Sequence, residues 1–352
     1  EDIDGTRGAD GNRIRENRVE DAGFGILLFG GSRNVVERNV WSRCEIAVVA
    51  FPYLSGDSLP TIPTTDNDVR SNLLDSGSWG VYTANAGGNR YERNRIRGFA
   101  VGITEIATAP VALPDLVREN VISDNDYFGL LTQGASPVVT GNEFFRNGGA
   151  DLPPPELLFP YEEILLDARG GIGVLPWNGE DPTAFDDGDP SNDVISEPVI
   201  GVPDEPNIFE GNTFADIYVL DTRPANAIEI ATSNVFRSDG ATARVRQDWF
   251  GAIRVVSTDG STTAGATVDI FDARGNSVAA LVAGADGVAP DGCDPTRPMG
   301  RLTTEAGGPT PQWLRITEYV IDRDGDRVDL TPHQISVQSG ELRGHGTYSW
   351  TG

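Results

Sequence analysis

The residues of this chain that could do chemistry are mostly carboxylates. "DRDGDRVD" sets Asp322, Asp324, Asp326 and Asp329 at partial Ca²⁺-loop spacing, and "DDGDPSND" gathers Asp186, Asp187, Asp189 and Asp193. Hard cations take such oxygen sets, but the first run lacks the bidentate Glu that ends a Ca²⁺ loop and reads equally as a solvated hairpin turn around Asp324-Gly325. Ca²⁺ is therefore the one candidate cofactor. Soft metals are poorly served by two His (His333 and His345), a single Met299 and two Cys far apart in sequence, Cys44 and Cys293. A bridge between those thiols would need their Cα atoms within ~7 Å, and two free thiols is the simpler reading. Acids such as Asp75 and Asp124 could serve a lyase that uses Arg as its base. Trp79, Tyr82, Tyr127 and Phe128 could stack sugars or fill a core.

The balance of charge excludes other partners. With 53 acidic against 27 basic residues the net charge is -26, which repels phosphate backbones and anionic lipid. Neither nucleic acid nor membrane insertion is expected, and no run of 18 or more apolar residues appears. Every basic residue is Arg, because the chain has no Lys. Acid excess of this kind keeps a surface hydrated in high salt. The chain opens on Glu1 rather than Met, which reads as a mature or trimmed product.

Stepping along the chain, one pattern recurs. Asn17, Asn39, Asn72, Asn94, Asn120, Asn142, Asn212 and Asn234 are separated by 22, 33, 22, 26, 22, 70 and 22 residues. Three residues before each stands an apolar side chain such as Ile14, Val36, Val69, Val117 or Phe209; two after it stand Val19, Trp41, Leu74, Ile96, Ile122, Phe144, Phe214 and Phe236. A small residue then precedes another apolar one, as in Gly25-Ile26, Gly80-Val81 and Gly102-Ile103. Three short, β-branched segments per 22 residues make one coil of three strands.

This grammar closely resembles the right-handed parallel β-helix repeat of the pectate-lyase-like superfamily, over about residues 9 to 246. The resemblance implies that each recurring Asn sits at a bend in a left-handed backbone conformation and bonds to the Asn of the next coil. It does not fix a function, since the scaffold hosts lyases, hydrolases, adhesins and inert fibres. The hydrolase pattern of Asp with His and an Arg-x-Lys element is not met here, because Lys is absent and both His lie near the C-terminus.

Charges alternate between successive repeats: Arg15, Glu37, Arg70, Glu92, Arg118 in one column and Glu16, Arg38, Ser71, Arg93, Glu119 in the next. Opposite signs one coil apart form ladder pairs worth roughly 0.2 to 1 kcal/mol each and resist register slips, whereas a groove for an acidic ligand would keep one sign.

The 70-residue interval holds an acidic insertion at about 148–206, with 14 acidic residues and the single Arg169. It also carries Leu157, Leu158, Phe159 and Trp177, candidate interface residues of a flap on the coil flank or on a neighbouring molecule. Past Arg246 the grammar changes to alternating strands with Asp-Gly and Gly-Asn turns. "GAIRVVSTDGSTTAGATVDIFDARGN" followed by "GADG" resembles a carboxypeptidase-regulatory-like, Ig-type β-sandwich, a module that attaches or spaces.

The sequence thus predicts an all-β chain: a β-helix over 1–246, with the acidic insertion, and a sandwich over 247–352. The expected role is a non-catalytic structural protein, secreted or at the cell surface, that assembles with copies of itself into a filament or other ordered array through the β-helix ends, among them an uncapped first coil, the insertion and the sandwich. Binding or cleavage of an extracellular polysaccharide is the alternative.

Overall fold

The computed structural model describes residues 10–52, 63–108, 111–149, 168–178, 193–237, 241–251, 253–289 and 314–349. Every regular element among them is a β-strand. The chain divides into two compact units, Glu1–Trp177 with Asp193–Val245, and Asn178–Asn192 with Arg246–Gly352.

In the first unit, strands from Arg13–Arg15 and Val35–Glu37 down to Val138–Thr140 and Val199–Ile200 stack in parallel as a seven-stranded sheet, here sheet I. Sheet II starts with Arg18–Glu20 on Val40–Ser42 and reaches Val235–Arg237. Sheet III runs from Phe24–Phe29 on Ile46–Phe51 to Ala215–Leu220. In two coils the chain passes from sheet II to sheet III as one strand, Leu73–Ala84 and Arg95–Ile106. Each coil contributes one strand to each face, so the unit is a parallel β-helix.

The inward positions form columns because the pleat repeats every two residues and the coils stack in register. Sheet I supplies Val36, Val69, Tyr91, Val117, Val139 and Ile200, all fully buried. Sheet II supplies Trp41, Leu74, Ile96, Ile122, Phe144 and Phe209. The rings of Phe144, Phe209 and Phe236 stack face to face with centroids 5.1 and 5.2 Å apart. Small residues are required where sheet III begins: a Cβ on Gly80 would meet the carbonyl oxygen of Gly102 at 2.4 Å.

One device recurs at the three corners, although where sheet II turns into sheet III only Asn125, Asn147 and Asn212 carry it among the described residues. The residue before each corner takes a left-handed conformation, with φ of 58° at Glu16 and 54° at Arg38, Ser71, Arg93 and Glu119. The Asn that follows bonds up and down the stack. Asn94, for instance, accepts at Oδ1 from the backbone N–H and the Nδ2 of Asn72 (3.0 Å each), and its own Nδ2 donates to Asn120 Oδ1 (3.0 Å) and to the Val69 carbonyl (2.9 Å). Every hydrogen-bonding site of the amide is used.

The ladder differs from the sequence reading in two places. The left-handed residue is the one before the Asn, not the Asn itself. And Asn142 is followed by Asn207, not Asn212: Asn142 Nδ2 donates to Asn207 Oδ1 at 2.9 Å, and Asn207 to Asn234 Oδ1 at 3.0 Å. Asn212 ends a ladder at another corner, Asn125–Asn147–Asn212, with amide bonds of 2.8 and 3.0 Å. The 22-residue step from Asn212 to Asn234 joins two different corners, and Phe209 occupies the inward position assigned to Phe214. The remaining corner carries Asn12, Asn34, Asn67 and Asn89 and ends on Asp115.

The stretch 148–206 is not a single insertion. Gly170–Leu175 lies in sheet III against Phe128–Gln133, and Val199–Ile200 lies in sheet I, so the stretch completes one coil and begins the next. Leu157, Leu158 and Phe159 lie outside the described residues; Trp177 opens the short strand Trp177–Asn178.

Sheet III is apolar outward as well as inward. Its outward column Val49, Leu131 and Tyr218 is shielded from solvent, yet on the first coil the same face is open: Phe24, Leu27 and Phe29 are 56, 50 and 45 % exposed.

The second unit is antiparallel. Thr267–Phe271 pairs with Ser277–Val282 and with His333–Ser339, which pairs with Leu342–Tyr348. Val268, Ile270, Leu281, Leu314 and Ile316 form its core. Its hairpins are tied by Asp carboxylates: Asp272 Oδ1 accepts the N–H of Arg274 and Asn276 at 2.9 and 2.8 Å.

Replacing a central rung exposes the value of the ladder. Asn94→Leu strands two donors of Asn72 and the Val69 carbonyl in the interior and should cost about 3 kcal/mol. Asn17→Leu, at the exposed first coil, should cost about 1 kcal/mol. Chemical denaturation midpoints of the two variants read the difference.

Candidate functional site

Side chains capable of chemistry separate into those used by the architecture and those that are not. Asp75 pairs with Arg97 (3.0 Å) and Asp124 with Arg146 (2.7 Å), each one coil apart on an exposed corner. The hydrogen bond from Arg146 holds the Asp124 carboxyl below the usual range. These acids are occupied by register pairs rather than gathered for catalysis. Glu37 is clamped between Arg13 and Arg70, whose hydrogen bonds hold its carboxyl low, and Arg38 reaches Glu16 at 3.1 Å.

The aspartates of "DRDGDRVD" surround a hairpin turn between Leu314–Ile321 and Arg327–Asp329. Asp322 Oδ1 accepts the N–H of Asp324 (3.0 Å) and Asp326 (2.9 Å), and Asp329 pairs with Arg327 at 2.7 Å. The turn repeats the geometry at Asp272, so one carboxylate is spent on backbone donors. Among the described residues, no three His, Cys, Asp or Glu side chains gather as a metal would require. Asp186, Asp187, Asp189, Cys293 and Met299 lie outside the described residues; Asp193 begins the strand Asp193–Val194. Cys44 is a free, buried thiol, and burial raises its pKa. His333 is buried in the second unit, where desolvation lowers its pKa; His345 lies on the exposed strand Leu342–Tyr348. Of the candidate sugar-stacking rings, Trp79, Tyr127 and Phe128 are 6, 3 and 0 % exposed, and Tyr82 packs on Trp79 with centroids 5.7 Å apart. The first three are closed to a ligand, and Tyr82 is half-buried.

A site the sequence reading did not single out lies where sheet III meets the first corner. Glu105 stands one residue before the end of Arg95–Ile106, in the inward column Ala50, Thr83, Glu105, Thr132, Val174. It is 2 % exposed, and its Oε1 has no hydrogen-bond partner. Asp115, 5 % exposed, occupies the last rung of the first-corner ladder, directly before Leu116–Arg118. Its Oδ1 accepts the backbone N–H of Asn89 at 2.8 Å and Asn89 Nδ2 at 3.2 Å. Both carboxyls line a recess of about 510 Å³ whose walls include Val111, Leu113, Pro114, Pro137 and Ile195.

Electrostatics follow from burial. Desolvation raises the Asp115 pKa to about 7, although the Asn89 bonds pull the other way. Desolvation and then the charge of Asp115 push Glu105 well above the ordinary range. Tyr91, inward from sheet I, is raised by burial and by the same two acids. Another buried acid, Asp216, continues the glycine column below Gly171; desolvation raises its pKa to about 7.

The sequence did carry a signal for the recess. Asn12, Asn34, Asn67, Asn89 and Asp115 each fall five residues before a rung of the first-read ladder, and Glu105 follows Ile103 by two, in the inward phase of its strand.

A family model described as right handed beta helix region matches residues 2–152. That match spans the first five coils and the start of the sixth, and gives the hand of the parallel stack. No curated protein matches the chain.

Both acids hold their protons in the folded chain at pH values where the unfolded chain has released them. Stability therefore falls as pH rises from about 4, the unfolded Asp value, to about 7, the folded value for Asp115. Thermal unfolding should show the midpoint dropping from pH 5 to pH 8, and Glu105→Gln and Asp115→Asn should each flatten that drop.

Proposed function

We propose that the chain is a non-catalytic structural protein of the cell exterior whose β-helix associates with another copy through its first coil, building a filament or other ordered array. The observation that carries this reading is the first coil itself. Its strands Arg13–Arg15, Arg18–Glu20 and Phe24–Phe29 each pair on one side only among the described residues, so their other sides are parallel edges a second β surface could extend. Beside them Phe24, Leu27 and Phe29 continue, in the open, the outward apolar face that later coils shield. Unpaired edges joined to exposed aromatic surface favour association with a second β surface.

Two further features support it. The Asp–Arg pairs along the corners stiffen the register of a rod. The aromatic rings that a flank-binding glycan would need are turned into packed surroundings. In this reading the antiparallel second unit serves as a sandwich module that attaches or spaces the rod. The acidic, Lys-free surface fits an extracellular setting, where it limits unspecific contact.

Mass photometry across a concentration series tests the proposal. Wild-type chain should form species larger than a monomer as concentration rises, and the double variant Phe24→Asp/Leu27→Asp should stay monomeric. A wild-type chain that remains monomeric throughout would remove the basis for assembly.

A further inference from the structure

We infer that the recess over Glu105 and Asp115 binds a small organic ammonium ion carrying a short hydrocarbon body. Glu105 stands where the column of sheet III otherwise places Ala50, Val174 or a Thr, and among the described residues no Arg or His lines the recess to neutralise it. A carboxyl at that depth costs free energy unless its oxygens receive hydrogen bonds. Oε1 receives none, and the side chain lines the recess. This buried acceptor is an observation separate from the pairing of the two acids.

The shape of the recess selects the class of donor. A volume of about 510 Å³ admits a ligand of several heavy atoms, well beyond a single water. Its floor holds the two carboxyls, and Ser136 adds a hydroxyl; Val111, Leu113, Pro114, Pro137 and Ile195 make the walls. Leu113 and Ile195 are 55 and 62 % exposed, so the apolar rim is wet when nothing covers it. An ammonium head would donate to the Glu105 carboxyl and to the Asp115 oxygen that Asn89 does not engage, while its methylenes cover the rim.

A bare metal ion fits less well. Asp115 Oδ1 is committed to Asn89, and among the described residues no third acidic or imidazole side chain joins the pair. A sugar would want several donors and an open ring face, and the walls give neither. The titrating groups that face this point are Glu105, Asp115 and Tyr91, from three neighbouring elements. Burial holds protons on both acids, and the charge of Asp115 adds to it at Glu105, so an entering cation displaces protons and binds more tightly as pH rises through neutrality.

Isothermal titration of the full chain at pH 8, in about 0.15 M salt to screen surface charge, tests the assignment with butylammonium, methylammonium and Ca²⁺ as probes. Butylammonium should bind saturably at one site, roughly tenfold tighter than methylammonium because of its extra buried methylenes. Glu105→Gln should weaken it roughly tenfold or more. Leu113→Arg, on the exposed rim and away from the core, should weaken it too while leaving the thermal midpoint unchanged. Absence of saturable butylammonium binding, binding indifferent to both substitutions, or Ca²⁺ binding that displaces the amine would each overturn the assignment.

Discussion

The interaction on which this solenoid depends is the hydrogen bonding of the corner amides. Turning a strand sharply puts a residue in the left-handed region, and at Glu16, Arg38, Ser71, Arg93 and Glu119 that residue has a side chain, at a cost of roughly 1 kcal/mol each. The next residue offsets that cost. Its side-chain oxygen receives a backbone and an amide N–H from the coil before, and its amide gives one proton to the coil after and one to a strand carbonyl. Buried backbone groups that a turn would strand are satisfied by the neighbouring coil. The device works only in a stack, so the coils stand or fall together.

Once the corners fix the rise, the strands between them have little freedom. Inward positions fall into columns whose members touch above and below, which is why Phe144, Phe209 and Phe236 stack ring on ring. The same register that favours like side chains in a column makes a misfit conspicuous. Glu105 and Asp115 are such misfits, one a carboxylate in a column of Ala, Thr and Val and one ending an amide ladder, and they meet at a recess. A repeat structure thus marks its own candidate site, because every position has a stated expectation.

Much of the β-helix was legible in the sequence because its constraints are local and periodic. The apolar residues around Asn17 to Asn142 and the 22-residue interval follow directly from one strand per face and one bend per corner. The assignment of Asn212 failed where periodicity misleads: Asn207 lies 65 residues after Asn142, and the excursions between them erase the interval that would have identified it. Asp75 and Asp124 looked available because a linear sequence does not show that Arg97 and Arg146 stand one coil away. Glu105 stayed hidden for the opposite reason. A single acid in a charged chain carries no signal until the phase of its strand places it inside.

Hydrogen exchange resolved at single amides tests the corner account most directly. The backbone N–H groups of Asn72, Asn94, Asn120 and Asn142 donate to side-chain oxygens one coil on, at 2.9 to 3.0 Å. They should exchange as slowly as the strand amides of sheet I, although they sit at bends. Exchange at the rate of ordinary exposed turns would contradict the claim that the ladders hold the coils together.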